Sequence, residues 1–313
     1  MTEQHLYRIA EFYIKITFNE SPHNGTCLIP SFTPFEQQGQ ETDAKEVLFS
    51  LSVDDTLRPV PKEKRERIRN FDTGNGHIIV DQTDSEGYQY IIIDIAGRNC
   101  CLLQTNKDFT VCKCALNGNT SMRSYGLSNA LMLIFAFRGS YKKTLLIHAS
   151  LVRQGEYGYP FIAKSGTGKS THVNLWLNNI PGCDLMNDDN PIIRITNGEA
   201  LIYGSPWSGK TPCYRDVKAK LGAITRIDRA PSNRIEKLRP IEAFASLLPS
   251  CSSMKWDKLI FDNICNIISE IIGMTDIYTL HCRPDNEAAI LCHNTISRQK
   301  RKNTPMPYSC HRS

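Results

Sequence analysis

The fold of this chain is decided by the stretch FIAKSGTGKST, residues 161–171. An apolar run, residues 159–163, leads into it, and a helix-compatible run, residues 172–177, leads out of it. A strand, a glycine-bearing turn with Gly-Lys-Ser and a helix, in this order, form the context of a phosphate-binding P-loop. The backbone N–H groups of such a turn wrap an anion. The new helix adds its unpaired N–H groups and the positive end of its dipole.

The motif assigns a role to each residue of the turn. Glycines permit the unusual dihedral angles and the close approach of the backbone to the phosphates. The lysine is expected to reach the β- and γ-phosphates, and the serine hydroxyl after it to bind Mg²⁺. The predicted nucleotide-binding residues are Ser165, Gly166, Thr167, Gly168, Lys169, Ser170 and Thr171. The chain departs from the motif at Ala163, where the first glycine of G-x-x-x-x-G-K-[ST] is expected.

Two consecutive aspartates follow the next predicted strand, residues 184–187. Asp188 and Asp189 stand where an NTPase holds Mg²⁺, at the carboxyl end of a strand beside the P-loop strand. Paired carboxylates can divide their labour, one binding the metal while the other accepts a proton from an attacking hydroxyl. The alternative is an ordinary Asp-Asp-Asn turn, and the P-loop upstream favours metal or base chemistry.

Three further features have open interpretations. His148 lies on a predicted strand, residues 145–152, and either is structural or faces the phosphate site. The loop GSPWSGK, residues 204–210, either lines the cleft or is a bare connection. The basic segment, residues 218–239, is either a positively charged cleft rim or a solvated face.

The composition is that of a globular protein. The chain has 313 residues, of which 41% are hydrophobic and 22% charged, with a formal charge of +5. This length suits two ordinary domains or one large one. The charge suits an anionic nucleotide without arguing for nucleic acid, which we do not expect as a partner. The twelve cysteines contain no C-x-x-C pair, so reduced thiols are expected rather than disulfides or a metal framework.

The chain shows no apolar run of about 18 residues, and its first residues are polar without a basic n-region. We therefore expect no membrane segment, no signal peptide and a cytoplasmic location.

The first part of the chain, residues 6–116, is predicted to be rich in β-structure and to form an antiparallel meander. The strands expected in it cover residues 9–18, 47–53, 77–80, 88–95 and 100–103. Residues 61–67 form a mixed-charge run, for which a solvated loop or short helix is expected. A buried helix over residues 124–139 is expected to bridge to the second part.

The second part is predicted to combine strands and helices around the P-loop. Asn197-Gly198 predicts a hairpin between residues 192–196 and 200–203. Further strands are expected at residues 221–227 and 277–282, and helices at residues 241–248, 258–272 and 286–293. The predicted organisation is a β-rich region of open role (residues 1–120), a P-loop domain (residues 121–297) and a basic flexible tail (residues 298–313).

Several motifs, in their order along the chain, resemble HPr serine kinase/phosphorylase-like proteins. They are His148, the stretch SGTGKST at residues 165–171, Asn187-Asp188-Asp189, and GSPW at residues 204–207. The similarity spans residues 145–296 and looks most like the HPr-kinase-related proteins found beside peptide-modification genes. HPr itself is not the expected substrate, because the glycine- and glutamate-rich signature of the HPr-modifying enzymes is not found after the aspartates.

The resemblance implies a fold related to phosphoenolpyruvate carboxykinase, with a mixed sheet around the P-loop. It also implies phosphorylation of a hydroxyl, usually of a serine, with ATP and Mg²⁺ as cofactors. When the roles of the family's residues are transferred to the matching positions of this chain, the resemblance implies that Lys169 binds phosphate and that Ser170 and Asp188 lie near Mg²⁺. It also implies that Asp189 is the general base and that His148 supports the site. The ring-like assemblies of HPr kinases imply a homo-oligomer.

The sequence therefore predicts a mixed α/β protein that is a serine kinase-like phosphotransferase. The predicted catalytic residues are Asp189, His148 and Lys169, and the predicted metal ligands are Ser170 and Asp188. The expected acceptor is a hydroxyl of a small protein, a peptide or a free amino acid. The alternative, which Ala163 and the divergent substrate loop favour, is a nucleotide-binding regulatory or scaffold protein with little turnover.

Overall fold

The computed structural model describes residues 2–38, 46–164 and 166–298. Over these residues the chain is a mixed α/β protein built mostly from strands, which form an eight-stranded and a ten-stranded sheet. At this level the predicted fold class is confirmed. Ser165 and residues 299–313 of the predicted basic tail lie outside the described residues. The division into domains stays a prediction.

The first sheet is formed by the β-rich part of the chain. Its strands are β1 Glu3–Ile9, β2 Phe12–Phe18, β3 Val47–Val53, β4 Arg65–Asp72, β5 Gly76–Thr83, β6 Tyr88–Asp94, β7 Asn99–Thr105 and β8 Val111–Leu116. They lie in the order β1-β2-β3-β8-β7-β6-β5-β4. The expected antiparallel meander is correct for β4 to β8 but wrong for β3, which pairs in parallel with both β2 and β8. Parallel neighbours need a long connection, and residues 19–46 supply it between β2 and β3.

Two predictions for this part were wrong in detail. The single strand expected over residues 9–18 is a hairpin of β1 and β2, which turns at Ala10 and Glu11 with φ of 48° and 65°. The mixed-charge run forms only a short 3₁₀ turn, Lys62–Lys64, before β4 begins at Arg65. β4 is the edge strand of the sheet, where charged side chains discourage pairing with other chains.

The bridging helix, α1 Thr120–Ser140, is confirmed. The Asn119 side chain caps it by accepting a hydrogen bond from the Met122 N–H at 3.1 Å. Its fully buried residues include Leu127, Leu131 and Phe135. The helix packs on β6, β7 and β8 of the first sheet and on the first strand of the second.

The second sheet has the predicted P-loop strand near its middle. Its strands are β9 Thr144–Leu146, β10 Ala149–Gln154, β11 Tyr157–Ile162, β12 Cys183–Asn187, β13 Ile192–Thr196, β14 Glu199–Tyr203, β15 Lys218–Leu221, β16 Ile224–Arg229, β17 Arg234–Lys237 and β18 Ile277–Cys282. β11 pairs in parallel with β15 and β16 and antiparallel with β10, which also pairs with β12. The predicted hairpin of β13 and β14 and the strand β18 are confirmed.

Two strands predicted as continuous are interrupted. Residues 145–152 divide into β9, which pairs with β13, and β10, which pairs with β11 and β12. His148 was predicted to lie on a strand, and it lies instead in this break, where its N–H donates to the Ser250 carbonyl at 2.7 Å. Residues 221–227 divide at Gly222, which passes so close to the Tyr159 ring that a Cβ would lie 2.5 Å from Cε1.

The helices of the second part are α2 Lys169–Asn179, α3 Pro240–Leu247, α4 Lys258–Met274 and α5 Asn286–Ile296. α2 is fixed by Trp176, which is fully buried and whose ring packs against those of Tyr159 (tilted) and Phe161 (edge to face) of β11. A larger core of buried residues contains side chains from both sheets and from α1 and α4. Among the described residues, no helix is long and apolar enough to cross a membrane, and the described cysteines are all free.

Candidate functional site

The turn between β11 and α2 has the backbone expected of an anion-binding loop. Gly166 and Gly168 have φ of 76° and 126°, values that L side chains rarely adopt. α2 starts directly after Gly168, and none of the described side chains caps it by a hydrogen bond, so its first N–H groups are available to a ligand. Ala163 has a negative φ. Alanine therefore fits at this position without the strain that a left-handed backbone would impose.

A chain of polar side chains runs from this turn to the paired aspartates. The Lys169 ammonium lies 2.8 Å from Nε2 of His148, and Nδ1 of the same ring lies 3.0 Å from Oδ1 of Asp189. Because lysine only donates, Nε2 is the acceptor, so Nδ1 of the neutral ring carries the proton and faces the carboxylate. The break between β9 and β10 places His148 between the two charged groups. Three residues singled out from the sequence thus meet in one contact chain.

The other aspartate faces the start of α2. Oδ1 of Asp188 accepts hydrogen bonds from the Ser170 hydroxyl at 3.1 Å and the Ser150 hydroxyl at 3.0 Å. Its Oδ2 accepts from the Thr211 N–H at 3.2 Å. Asp188 is buried, whereas the Asp189 side chain is 31% exposed. The two carboxylates therefore differ in surroundings, one pointing to the serines and the other to His148 and an open cleft.

Asn187 holds the paired aspartates in place. Its fully buried side chain accepts hydrogen bonds from the N–H groups of Asp189 and Asn190, at 3.0 and 2.9 Å. Its amide donates to the Ser205 hydroxyl at 3.1 Å and to the Trp207 carbonyl at 3.2 Å. The loop of residues 204–210 is thereby attached to the aspartates. Of its two open readings, the structure favours the lining of the cleft.

Some residues of the site were not found from the sequence. Ser150 and Thr211 contact Asp188, and the Asn190 amide donates to Oδ2 of Asp189 at 2.6 Å. No motif includes the first two, which come from a strand and a loop far apart in the chain.

The basic segment has two kinds of residue. Most of its cations are paired with carboxylates away from the turn, as in Lys218–Glu11 at 2.6 Å and Lys237–Asp276 at 2.7 Å. Arg229 instead donates to the carbonyls of Gly166 and Thr167, at 2.7 and 2.9 Å. The segment is therefore a solvated face over most of its length, but it borders the cleft beside the turn at Arg226 and supports the turn at Arg229.

Three clefts surround the turn and the aspartates. The first has a volume of about 630 Å³ and is bordered by His148, Ala163, Lys164, Thr167, Asp189 and Arg226 among others. The second, of about 460 Å³, lies between Thr167, Gly168, α2 and the ends of β16 and β18. The third, of about 430 Å³, lies between α1, residues 28–31 and residues 206–214. The first cleft shares Thr167 with the second and Asp189 with the third.

Two buried bases near the turn have shifted pKa values. Burial lowers the pKa of Lys169 from its usual value, and the negative charges of Asp189 and Asp188 act in the opposite direction. Burial lowers the pKa of His172, on α2, to about 4. Its Nε2 accepts a hydrogen bond from the Trp176 indole at 3.1 Å, which suits a neutral ring.

The residues at Asp188 fit a magnesium ion. A carboxylate and a hydroxyl are hard oxygen ligands, and the Asp188 and Ser170 oxygens already converge within 3.1 Å. The described residues contain no group of three or more His, Cys, Asp or Glu that could hold a metal ion by themselves. Magnesium usually combines one or two carboxylates with waters and substrate phosphates, so this donor set suits a metal that arrives with a nucleotide.

No protein-family model matches the sequence, and no curated protein is similar to it. Among solved structures, the Hpr(Ser) kinase/phosphatase from Coxiella burnetii is similar over 48% of this chain and 86% of its own, with 10% identity and a TM-score of 0.28. Neither the identity nor the TM-score is high enough to place this chain in a family. The function has to be inferred from the site itself.

Proposed function

We propose that this chain is a kinase that uses ATP and Mg²⁺ to phosphorylate a hydroxyl group, such as that of a serine. The observation that carries the proposal is the contact chain Lys169–His148–Asp189, which joins an anion-binding turn to a half-buried carboxylate at the cleft. A cation at the phosphates and a base at the acceptor hydroxyl are the two groups that phosphoryl transfer requires of a protein. Asp188 and Ser170 lie beside them.

The nucleotide is best placed across the turn. Its phosphates would lie over the N-terminus of α2, where the N–H groups and the helix dipole favour anions. The second cleft would take the base, because its walls include the apolar groups of Leu175, Ile227 and Pro284. The γ-phosphate would then point into the first cleft, towards Lys169 and Asp189.

In this arrangement Asp189 accepts the proton of the acceptor hydroxyl. The hydroxyl oxygen forms a bond to the γ-phosphorus as the bond from phosphorus to the β,γ-bridging oxygen breaks, and ADP leaves. Lys169 neutralises charge on the transferring group, and the Nδ1 side of the His148 ring, 3.0 Å from the Asp189 carboxylate, positions that carboxylate. When bound, magnesium would neutralise phosphate charge, and Asp188 and Ser170 are the residues that would hold it.

The test is titration calorimetry of ATP with and without Mg²⁺. Wild type should bind in a saturable, Mg²⁺-dependent manner, and Lys169→Ala should lose about tenfold or more in affinity. Lys220→Ala is the matched control, because Lys220 is exposed and pairs with Glu199 away from the turn. No binding by wild type would contradict the proposal.

The alternative of a nucleotide-binding scaffold with little turnover was favoured by Ala163. Since alanine fits the backbone there without strain, this reason no longer counts against the kinase. Release of ADP on addition of a hydroxyl acceptor separates the two: a kinase is stimulated, and a scaffold is not.

A further inference from the structure

We infer that the acceptor enters through the third cleft and that its hydroxyl belongs to an uncharged compound. This rests on the proposed function and adds to it the location and chemical class of the second substrate. It also gives the first part of the chain a role that its sequence does not reveal, because that part builds one wall of the cleft.

The location follows from how the clefts meet. The first and third clefts share Asp189 and Asn190, and also Asn75, Asn129 and Met132. Of these two clefts, only the first is bordered by the turn and by Lys164, on the side of the proposed nucleotide. A hydroxyl in the third cleft therefore reaches Asp189 from the side opposite the phosphates. In-line transfer requires this opposed approach.

The walls of the third cleft come from both parts of the chain. Residues 28–31 and Asn75 belong to connections of the first sheet, and residues 206–214 belong to the loop after β14. Trp207 ties the two sides together, because its indole donates to the Ser128 carbonyl at 3.2 Å and its ring lies 5.7 Å from that of Phe32. The side-chain amide of Asn187 donates a hydrogen bond to the Trp207 carbonyl. The cleft wall and the aspartates therefore share one hydrogen-bonded support.

The lining of the third cleft gives the class of acceptor. Apart from Asp189 its described residues are uncharged, and they combine hydroxyls, amides, aromatic rings and prolines, among them Ser31, Asn75, Asn129, Pro206, Trp207 and Tyr214. The hydroxyl and amide groups can form hydrogen bonds with an amide or an alcohol. Among the described residues, the lining contains no cation that could offset a carboxylate or phosphate of the acceptor, which Asp189 would repel. A seryl residue in a neutral peptide and a neutral polyol share the required chemistry.

Ser31 is the position for the test, since it is half-buried and lines only the third cleft. Transfer of labelled γ-phosphate would be measured to three probes: the capped peptide acetyl-Ala-Gly-Ser-Gly-Ala-amide, its analogue with Asp on both sides of the serine, and sorbitol. Wild type should phosphorylate the neutral peptide or sorbitol, which identifies the source of the alcohol. The acidic peptide should react about tenfold more slowly or worse.

Substitutions at Ser31 separate the cleft from the nucleotide site. Ser31→Trp should fill the cleft and lower transfer about tenfold or more, while affinity for Mg²⁺-ATP stays within about twofold. Ser31→Ala, the matched control, should retain transfer. Ser31→Lys should raise the rate with the acidic peptide relative to the neutral one, because it adds the cation that the lining lacks.

Equal rates with acidic and neutral peptides would overturn the uncharged class, and full transfer by Ser31→Trp would overturn the location. An enzyme that binds Mg²⁺-ATP yet phosphorylates neither neutral probe would also overturn the inference, with the nucleotide site intact. A wild type that binds no ATP would contradict the proposed function itself, so the two failures are distinguishable.

Discussion

At the scale of single residues, the two aspartates are neighbours with different surroundings. Asp189→Asn removes the proton acceptor and keeps the shape, so kcat should fall about 10²- to 10⁴-fold while ATP affinity is retained. Asp188→Asn should instead weaken the Mg²⁺-dependent part of ATP binding, because Asp188 contacts Ser170 rather than the cleft. Steady-state kinetics and calorimetry on both variants check this. If the activity of Asp189→Asn were unchanged, the assignment of Asp189 as the general base would be wrong.

His148 is a positioning residue in this scheme, since it contacts Asp189 and Lys169 without touching the acceptor. His148→Ala should lower kcat about 10- to 100-fold and change KM for the acceptor little. His148→Asn should recover part of the loss, because its amide can replace the Nδ1–H donor. A purely structural role predicts no such recovery, and the pH profile of kcat/KM should shift in the alanine variant alone.

His172 makes stability depend on pH. Its pKa is about 4 in the folded protein against a usual value of 6.5, so between these values the unfolded chain binds a proton that the folded one does not. Stability therefore falls as pH falls, by about 2 kcal/mol between pH 7 and pH 5 from this group. The free energy of unfolding is measured by urea denaturation for wild type and for His172→Gln, and it should depend less on pH in the variant by this amount. Equal slopes would contradict the assignment.

Motifs located the residues of the site but not their supports. Lys169, Ser170, Asp188 and Asp189 were predicted because their chemistry requires fixed spacing around a turn and a strand end. Ser150 could not be predicted, since its contact with Asp188 depends on the pairing of β10 with β12. Side chains that act through tertiary contacts carry no local signal.

At the scale of elements, strands with hydrophobic patterns and turn residues were predicted well, and breaks without such residues were not. The strand predicted at residues 47–53 is β3, and the turn residues Asn197-Gly198 correctly predicted the hairpin of β13 and β14. The β1–β2 hairpin was missed because Ala10 and Glu11 form the turn in place of glycine or asparagine. β4 was missed because, as an edge strand with half-buried and exposed residues only, it lacks an apolar face.

α1 offers a test of packing against helix propensity. A Cβ on Gly126 would lie 2.8 Å from the Cys100 carbonyl oxygen, whereas one on Gly139 would lie 3.4 Å from its nearest neighbour, in Thr144. Gly126→Ala should therefore destabilise the protein by about 1–3 kcal/mol despite the better helix former. Gly139→Ala in the same helix should be neutral or stabilise by up to about 1 kcal/mol. Urea denaturation measures both, and equal effects would show that α1 can shift on β7.

At the scale of the whole molecule, the two parts of the chain share one core. The parallel pairing of β3 with β2 and β8 could not be predicted, because local patterns do not specify which distant strand becomes a neighbour. The same applies to Phe32, a fully buried residue of the first part whose ring packs on Tyr7 and on Trp207 of the second. A contact of this kind couples the stability of the two parts.

The coupling predicts that the parts unfold together. Phe32→Ala should lower the free energy of unfolding by about 3–5 kcal/mol, as expected for a buried aromatic side chain, and Phe32→Leu should lower it less. Trp207 and Trp256 contact Phe32 and Phe71 of the first part, so both are replaced by Phe in all the proteins compared, including the one that is otherwise wild type. The fluorescence of Trp176, which packs on Tyr159 and Phe161, then reports on the second part, whereas far-UV circular dichroism reports on both. The two unfolding midpoints should coincide in wild type and shift equally in both variants. If only the circular dichroism midpoint moved, the first part would unfold by itself, and the third cleft would then be an interface between separable domains.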